Sequence, residues 1–176
     1  MKKIFFLAVM FSLLPLISFS NDKPIGLKAP DFIVRSGDNK ELSLSDIKGK
    51  VITIFYETKN EIEKNRKLKT ELNKFYEEQP EAVKEGVYRL AIVNCNGVIF
   101  SGAWKSALRE NSEKEGITIY GDWSGKMASA YKAKNNSSNF IIIDKHGVIR
   151  YYACGIVNDK EINKIKDLLK KLIKEK

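Results

Sequence analysis

The feature that most constrains the fold is an unbroken apolar run, Val51–Tyr56 (VITIFY), followed directly by apolar residues at helical spacing. The run is rich in β-branched and aromatic side chains and lacks polar alternation, so it predicts a strand covered on both faces. The next segment predicts a helix, because Thr58-x-x-Glu61 and Asn60-x-x-Glu63 are capping signals and Pro80 ends the periodicity. A buried strand followed by a helix is typical of an α/β architecture.

Strands and helices continue to alternate along the chain. Extended segments on either side of Ser36–Asn39 predict an N-terminal β-hairpin. After Pro80 the sequence predicts strands at Val87–Asn94 and Ile117–Tyr120 and short helices at Trp104–Asn111 and Met127–Ala133. A second hairpin is predicted from Phe140–Asp144 and Val148–Cys154, and a last helix is capped by Asn158-x-x-Glu161. The sequence therefore predicts one α/β domain, with a central mixed β-sheet flanked by helices and extended by the hairpin.

The first 20 residues are predicted to be a secretory signal peptide. Lys2 and Lys3 precede the apolar stretch Ile4–Phe19, and small residues end it at Ser18 and Ser20. The alternative, an uncleaved anchor helix, is disfavoured because the stretch contains Pro15 and is shorter than the roughly 20 residues of a membrane span. We expect cleavage after Ser20, a domain over 21–176 and a periplasmic location.

The net charge and its distribution along the chain argue against a nucleic-acid partner. Without the two leader lysines the 31 basic residues fall to 29 against 22 acidic ones, a formal charge of +7. The lysines alternate with glutamates rather than forming a basic stripe, as on an ordinary solvated surface. We expect no nucleic-acid partner, and membrane contact only through the leader during export.

Three segments carry a family resemblance across nearly the whole mature chain: GLKAPDF at 26–32, LSLSDIKGKVITIFY at 42–56 and NFIIIDKHGVIRYYACG at 139–155. In this order they resemble the redoxin branch of the thioredoxin superfamily, which includes TlpA-like exported thiol oxidoreductases and peroxiredoxins. The resemblance implies a thioredoxin-like sandwich. It does not imply an activity, because one scaffold hosts many functions.

A narrower resemblance is to the YtfJ family of exported bacterial proteins. It rests on Glu63-Lys64-Asn65, Ile92-Val93-Asn94, Ser101-Gly102, and Ser137-Ser138 before the strand that ends in Asp144-Lys145-x-Gly147. Members of that family look thioredoxin-like, lack the dithiol and have no established activity. Cys95 and Cys154 depart from the pattern and receive no role from it.

The redox centre implied by the wider resemblance is missing. Asn60 and Glu63 stand where a thioredoxin-like enzyme carries its Cys-x-x-Cys pair, and neither side chain can form a thiolate or a disulfide. Ser137 stands where such enzymes place a cis proline. We expect a trans bond before Ser137, since a cis bond before a residue other than proline costs about 2.5–4 kcal/mol.

The two cysteines, Cys95 and Cys154, are predicted to be unpaired. If the sheet order follows the family, their strands are separated by two others and run in opposite directions, which places the thiols at opposite ends of the sheet. Three strand spacings already give roughly 14 Å, and a disulfide needs Cα atoms within about 7 Å. Each thiol is interpreted as a small buried hydrophobe. The alternative is a reactive thiol at Cys95.

Candidate binding residues follow the first core strand and precede the hydrophobic strand near residue 140. They are Thr58, Lys59, Asn60, Ser137 and Ser138. The start of the predicted helix with Lys59 is a candidate anion site, although Glu57, Glu61 and Glu63 favour plain capping instead.

The remaining candidate residues give no catalytic or metal site. His146, the single histidine, is interpreted as a turn residue. Trp104, Trp123, Tyr151 and Tyr152 are interpreted as packing residues, with a binding surface as the alternative. We expect no metal site and no cofactor.

Two functions remain open from the sequence. One is a non-catalytic binding or accessory domain that holds a peptide or protein in the thioredoxin-like groove or at the sheet edge. The other is a thiol-disulfide oxidoreductase or peroxiredoxin-like enzyme with a lone cysteine, whose pKa would have to be lowered. The first is preferred because neither cysteine lies at a predicted helix start.

Overall fold

The computed structural model describes residues 23–175. Its strands are β1 (Ile33–Ser36), β2 (Glu41–Ser43), β3 (Val51–Glu57), β4 (Val87–Asn94), β5 (Ile119–Asp122), β6 (Asn139–Ile143) and β7 (Ile149–Cys154). Its α-helices are α1 (Arg66–Glu77), α2 (Glu81–Lys84), α3 (Ser101–Glu115), α4 (Lys126–Ala130) and α5 (Asp159–Lys174). The predicted signal peptide lies outside the described residues.

The seven strands form one mixed sheet in the order β2-β1-β5-β4-β3-β6-β7. Strands β3, β4 and β5 are parallel, and the N-terminal hairpin β1/β2 extends the sheet next to β5. On the other side β6 runs antiparallel to β3, and β7 runs antiparallel to β6. This arrangement confirms the predicted mixed sheet with an N-terminal hairpin. We call the edge where β3, β4, β5 and β7 end the carboxyl edge.

Side chains of the central strands alternate between two cores. Ile52, Ile54 and Tyr56 of β3 face a core completed by the N-terminal segment and α4, with Phe32 and Tyr131 among its buried rings. Phe140 and Ile142 of β6 face the second core, which lies between the sheet and helices α1 and α5. Every residue of the apolar run of β3 except Phe55 is therefore buried, which largely matches the predicted coverage of both faces.

Most predicted elements are present with shifted ends. The helix predicted at Trp104–Asn111 extends over Ser101–Glu115 and ends at Gly116, whose φ of +66° suits a residue without a Cβ. The cap predicted at the last helix is present, since the Asn158 side chain accepts a hydrogen bond from the Glu161 amide at 3.0 Å. Among the described helices, none has the length and apolar character of a membrane span.

Candidate functional site

The segment after β3 does not form the predicted helix start. Lys59–Glu61 is a single 3₁₀ turn, more turns follow it, and α1 begins only at Arg66. Thr58 makes no side-chain capping bond, and Glu63 pairs with the guanidinium of Arg66 instead. Both capping predictions were therefore wrong. No α-helix begins at these residues, so the helix N-terminus invoked for the candidate anion site lies elsewhere, at Arg66.

Asn65 precedes α1 and ties it to two other parts of the fold. Its side-chain amide donates to the Ser138 hydroxyl at 2.8 Å and to the carbonyl of Gly155 at 2.8 Å, and its oxygen accepts from the amide of Val157 at 2.9 Å. Asn65 is buried. Because its side chain is committed to these three bonds, it does not cap α1, and it holds the ends of β6 and β7 against the helix start.

A buried ion pair continues this network towards the sheet. Glu57, the last residue of β3, is only 4% exposed. It accepts from the Ser138 hydroxyl at 2.6 Å and from Lys69 Nζ at 2.6 Å. Burial raises the pKa of Glu57, while Lys69 and the Ser138 hydroxyl oppose that rise. Lys69 and the Ser138 hydroxyl are therefore the groups in direct contact that favour the ionised carboxylate, and the charge of Arg66 adds to their effect.

Ser138, one of the predicted binding residues, is part of this network. It is buried, donating to Glu57 and accepting from Asn65. It therefore has a positioning role below the surface. Lys59 and Asn60 are exposed and Thr58 and Ser137 half-buried, so these four lie at the carboxyl edge where a ligand can reach them.

A second buried carboxylate lies at the end of β5. Asp122 accepts from the Tyr56 hydroxyl at 3.1 Å, from the amides of Gly125 and Ala128 at 2.9 and 3.2 Å, and from the Ser124 hydroxyl at 3.2 Å. Four donors satisfy its oxygens in the interior. Asp122 therefore stabilises the turn into α4.

Cys95 does not support the reactive-thiol alternative. It is 1% exposed and packs with Val93, Leu108 and Trp123. Burial, with the negative charge of Asp122, raises the pKa of Cys95 to about 12. At neutral pH the thiol is protonated, so it lacks the thiolate that attacks disulfides or peroxides. The interpretation as a small buried hydrophobe is confirmed for Cys95.

The predicted placement of the cysteines at opposite ends of the sheet was wrong. Two successive antiparallel pairings, β3 with β6 and β6 with β7, return β7 to the direction of β4. Cys95 and Cys154 therefore both lie at the carboxyl edge, with β3 and β6 between their strands. Both are free thiols, as predicted, because three strand spacings of roughly 14 Å exceed the reach of a disulfide.

Cys154 has a different environment from Cys95. It is half-buried, and its Sγ lies 3.1 Å from the Ser137 hydroxyl. The bond before Ser137 is trans, since none of the peptide bonds of the described residues is cis. The position implied for the cis proline thus carries a serine that contacts the one partly accessible thiol.

A groove of about 340 Å³ opens between α1 and α3 on one face of the sheet. Its floor is the middle of β3 and β4, with Phe55 and Ala91 directly opposite each other and both half-buried. Ile62 and Trp104 line its sides, so the binding-surface alternative fits Trp104. An ion pair of Arg66 on α1 with Glu115 on α3, at 3.2 Å, bridges it. Side chains of a central strand are normally covered by helices, so this opening is a candidate ligand site.

Other residues named from the sequence have structural roles. His146 is exposed in the β6/β7 turn, where its amide donates to Asp144 at 2.9 Å. The Tyr152 hydroxyl donates a hydrogen bond to the carbonyl of Lys132, and the Tyr151 hydroxyl donates one to the Glu161 carboxylate. Trp123 packs against Cys95. Within residues 23–175, no group of three or more His, Cys, Asp or Glu side chains is arranged for a metal ion.

Comparison with protein families decides the affiliation of this fold. The model of the AhpC/TSA family matches residues 25–152. The chain belongs to the AhpC/TSA family. A search of curated proteins gives no significant match.

Solved structures with the same fold include a thioredoxin, a thiol-disulfide isomerase and a peroxiredoxin. The exposed lipoprotein thioredoxin of Streptococcus pneumoniae is 23% identical, with a TM-score of 0.58 over 81% of this chain and 100% of that one. A secreted thiol-disulfide isomerase of Corynebacterium glutamicum is 17% identical, with a TM-score of 0.62 over 84% and 86%. The 2-Cys peroxiredoxin of Plasmodium vivax is 16% identical, with a TM-score of 0.55 over 84% and 97%. These likenesses establish a thioredoxin-like fold for this AhpC/TSA member.

Sequence reasoning missed the buried Glu57 and Lys69 pair and the role of Asn65. One signal was present, namely a glutamate as the last residue of an apolar strand. A charge at that position needs a buried partner. Lys69 is twelve residues away along the chain, and its place in the first turn of α1 brings its ammonium to the carboxylate.

Proposed function

We propose that this AhpC/TSA member is an exported, non-catalytic binding protein that holds a peptide or protein at its carboxyl edge. The observation that carries this proposal is the replacement of the dithiol by Asn60 and Glu63 in a fold otherwise kept complete. Thiol exchange needs an accessible thiolate. Cys95 is buried and protonated, and Cys154 has no second cysteine within reach.

Export and the narrower family are part of the proposal. The charged and apolar leader over residues 1–20 supports export, and two similar structures are described as an exposed lipoprotein and as a secreted protein. The short motifs that resemble the YtfJ family, Glu63-Lys64-Asn65 among them, support membership in a dithiol-free branch. In this chain, under the proposal, the thioredoxin-like scaffold serves binding.

The carboxyl edge has the apolar character that a protein partner needs. Ile99 and Phe100 lie between β4 and α3 and are 87% and 76% exposed, and Ile156 follows β7 and is 73% exposed. These three are the most exposed of the large apolar side chains among the described residues, and their location supports an interaction surface at this edge. Thr58, Lys59, Asn60 and Ser137 lie at this edge and supply polar contacts.

Site-specific photo-crosslinking tests the partner surface. A photoreactive phenylalanine analogue in place of Phe100 is expected to give a discrete adduct in the exported fraction of living cells. The matched control is Leu27, which is 61% exposed but pairs with the start of β7 at the opposite edge. Equal labelling from both positions, or none from Phe100, would contradict binding at the carboxyl edge.

Activity assays test the absence of thiol catalysis. The wild-type protein is expected to reduce insulin and consume peroxide no faster than the Cys95→Ser/Cys154→Ser double variant, because the only accessible thiol has no resolving partner in the chain.

The alternative function is a lone-thiol enzyme at Cys154, favoured by the 3.1 Å contact of its Sγ with Ser137. In that mechanism the Cys154 thiolate attacks a disulfide of another molecule, releases one thiolate and awaits an external thiol. Activity that Cys154→Ser abolishes and Cys95→Ser leaves intact would establish it in place of the binding function.

A further inference from the structure

We infer that the groove between α1 and α3 binds an aliphatic monocarboxylate, with its carboxylate on Arg89 and its apolar chain over Phe55 and Ala91. This ligand site lies on a face of the sheet and does not depend on partner binding at the carboxyl edge. It follows from the shape of the groove, from its apolar floor and from the distribution of its charges.

The floor of the groove is a sheet surface that the neighbouring helices cover only in part. β3 and β4 are central strands, yet Phe55 and Ala91 are only half-buried beneath the groove. Leu72 of α1 and Leu108 of α3 line the two sides. A narrow, apolar cleft of about 340 Å³ has the size and lining of a small-molecule site.

Arg89 lies in the floor of the groove and has no carboxylate partner among the described residues. It lies on β4 opposite Thr53, and no carboxylate of residues 23–175 is within ion-pair distance of it. Its guanidinium lies 4.0 Å from the ring centre of Tyr76, and its Nη1 donates to Asn73 Oδ1 at 3.0 Å. Stacking fixes the planar group while leaving other N–H donors free, which is the arrangement that carboxylate recognition uses.

The other charges lining the groove leave a positive excess. The acidic residues are already paired, Glu57 with Lys69, and Glu63 and Glu115 with Arg66. Lys59 and Lys114 line the groove and have no carboxylate partner among the described residues. The electrostatic field of the groove therefore favours one anionic group on the ligand.

The length of the groove defines the body of the ligand. Arg89 pairs with Thr53, and Glu57 follows four residues later along β3. This separation is roughly 13 Å at about 3.3 Å per strand residue. An unbranched aliphatic chain spans such a distance over Phe55 and Ala91, and the carboxylate at its end reaches Arg89. The far end meets the pair of Glu57 and Lys69, whose charges are already matched.

Calorimetric titration of the purified protein with dodecanoate below its micellar concentration tests the site. Saturable binding is expected, and Arg89→Met is expected to weaken it about tenfold or more, as for loss of a charge-assisted hydrogen bond. Dodecanol, which lacks the anion, is expected to bind weakly and equally to both proteins. Arg35→Met is the matched control, since Arg35 pairs with Glu41 on the hairpin and lies outside the groove.

A second variant keeps the test valid if Arg89→Met is unstable. Ala91→Phe fills the groove floor without removing charge and is expected to abolish binding of both ligands. The wild-type protein is expected to show dodecanoate-dependent shifts of the Ala91 amide and Trp104 indole resonances. Absence of saturable dodecanoate binding, or equal affinity in the wild type and Arg89→Met, overturns the inference.

Phe100→Asp removes the carboxyl-edge surface and is expected to leave dodecanoate affinity unchanged, so this inference fails or succeeds separately from the proposed function.

Discussion

Lys69→Met is expected to destabilise the protein by about 3 kcal/mol at pH 8, because it leaves the Glu57 carboxylate buried without its cation. Glu57 is 4% exposed, and Lys69 Nζ lies 2.6 Å from its Oε2. Methionine keeps the apolar part of the lysine side chain, so packing against Phe55 largely remains. Chemical denaturation with the midpoint and slope fitted separately measures the change.

The loss is expected to depend on pH in a defined direction. Burial raises the pKa of Glu57, and removal of Lys69 removes the largest opposing influence. Below about pH 4.3, where unfolded glutamate is protonated, the folded and unfolded states both hold the proton and the electrostatic penalty vanishes. As pH rises above that value the unfolded state ionises first, so Lys69→Met loses stability progressively until Glu57 also ionises in the folded state.

Two further variants separate charge burial from other effects. Glu57→Gln in the Lys69→Met background is expected to recover part of the stability at pH 8, because a neutral amide still accepts from Ser138 without needing a cation. Lys67→Met is the control on the same helix, since Lys67 and its partner Asp159 are 66% and 72% exposed and such pairs contribute little. A Lys69→Met penalty no larger than that of Lys67→Met, or one independent of pH, would contradict the assignment.

The fold was predictable because its signals are local and repeated. The apolar run of β3, the Gly/Asn turn of the N-terminal hairpin and the Asn158 cap each specify their element without reference to distant residues. The direction of β7 was not predictable in this way. It depends on the pairing of β3 with β6 and on that of β6 with β7. If either pairing is inferred in the wrong direction, Cys154 is placed at the wrong edge of the sheet.

The candidate site was less predictable because it depends on tertiary contacts. The capping patterns at Thr58 and Asn60 are sound local signals, yet the buried bonds of Asn65 outcompete them and delay α1 to Arg66. The groove arises from the separation of α1 and α3, and no sequence periodicity encodes that spacing. Polar residues in a buried network are recognised only when their partners, more than 70 residues apart in the case of Asn65 and Ser138, are placed together.

Asn65→Ala is expected to destabilise the protein by about 3 kcal/mol, comparable to loss of the Lys69 cation. The substitution removes two buried hydrogen bonds and one partly buried one, and it leaves the Val157 amide and the Gly155 carbonyl without these partners. For a domain of this size the melting temperature should fall by about 6–12 °C. Thermal unfolding followed by circular dichroism measures the shift.

Two comparisons make the Asn65 result specific. Asn163→Ala, at an exposed position on α5, should leave the melting temperature nearly unchanged, because alanine is the better helix former and no buried bond is lost. Asn65→Asp keeps the size of the side chain but removes both amide donors and places a second negative charge near Glu57, so it should be at least as destabilising as alanine. A stable Asn65→Asp protein would mean that the helix start tolerates a carboxylate there, and the network would then not be the element that holds α1 to the ends of β6 and β7.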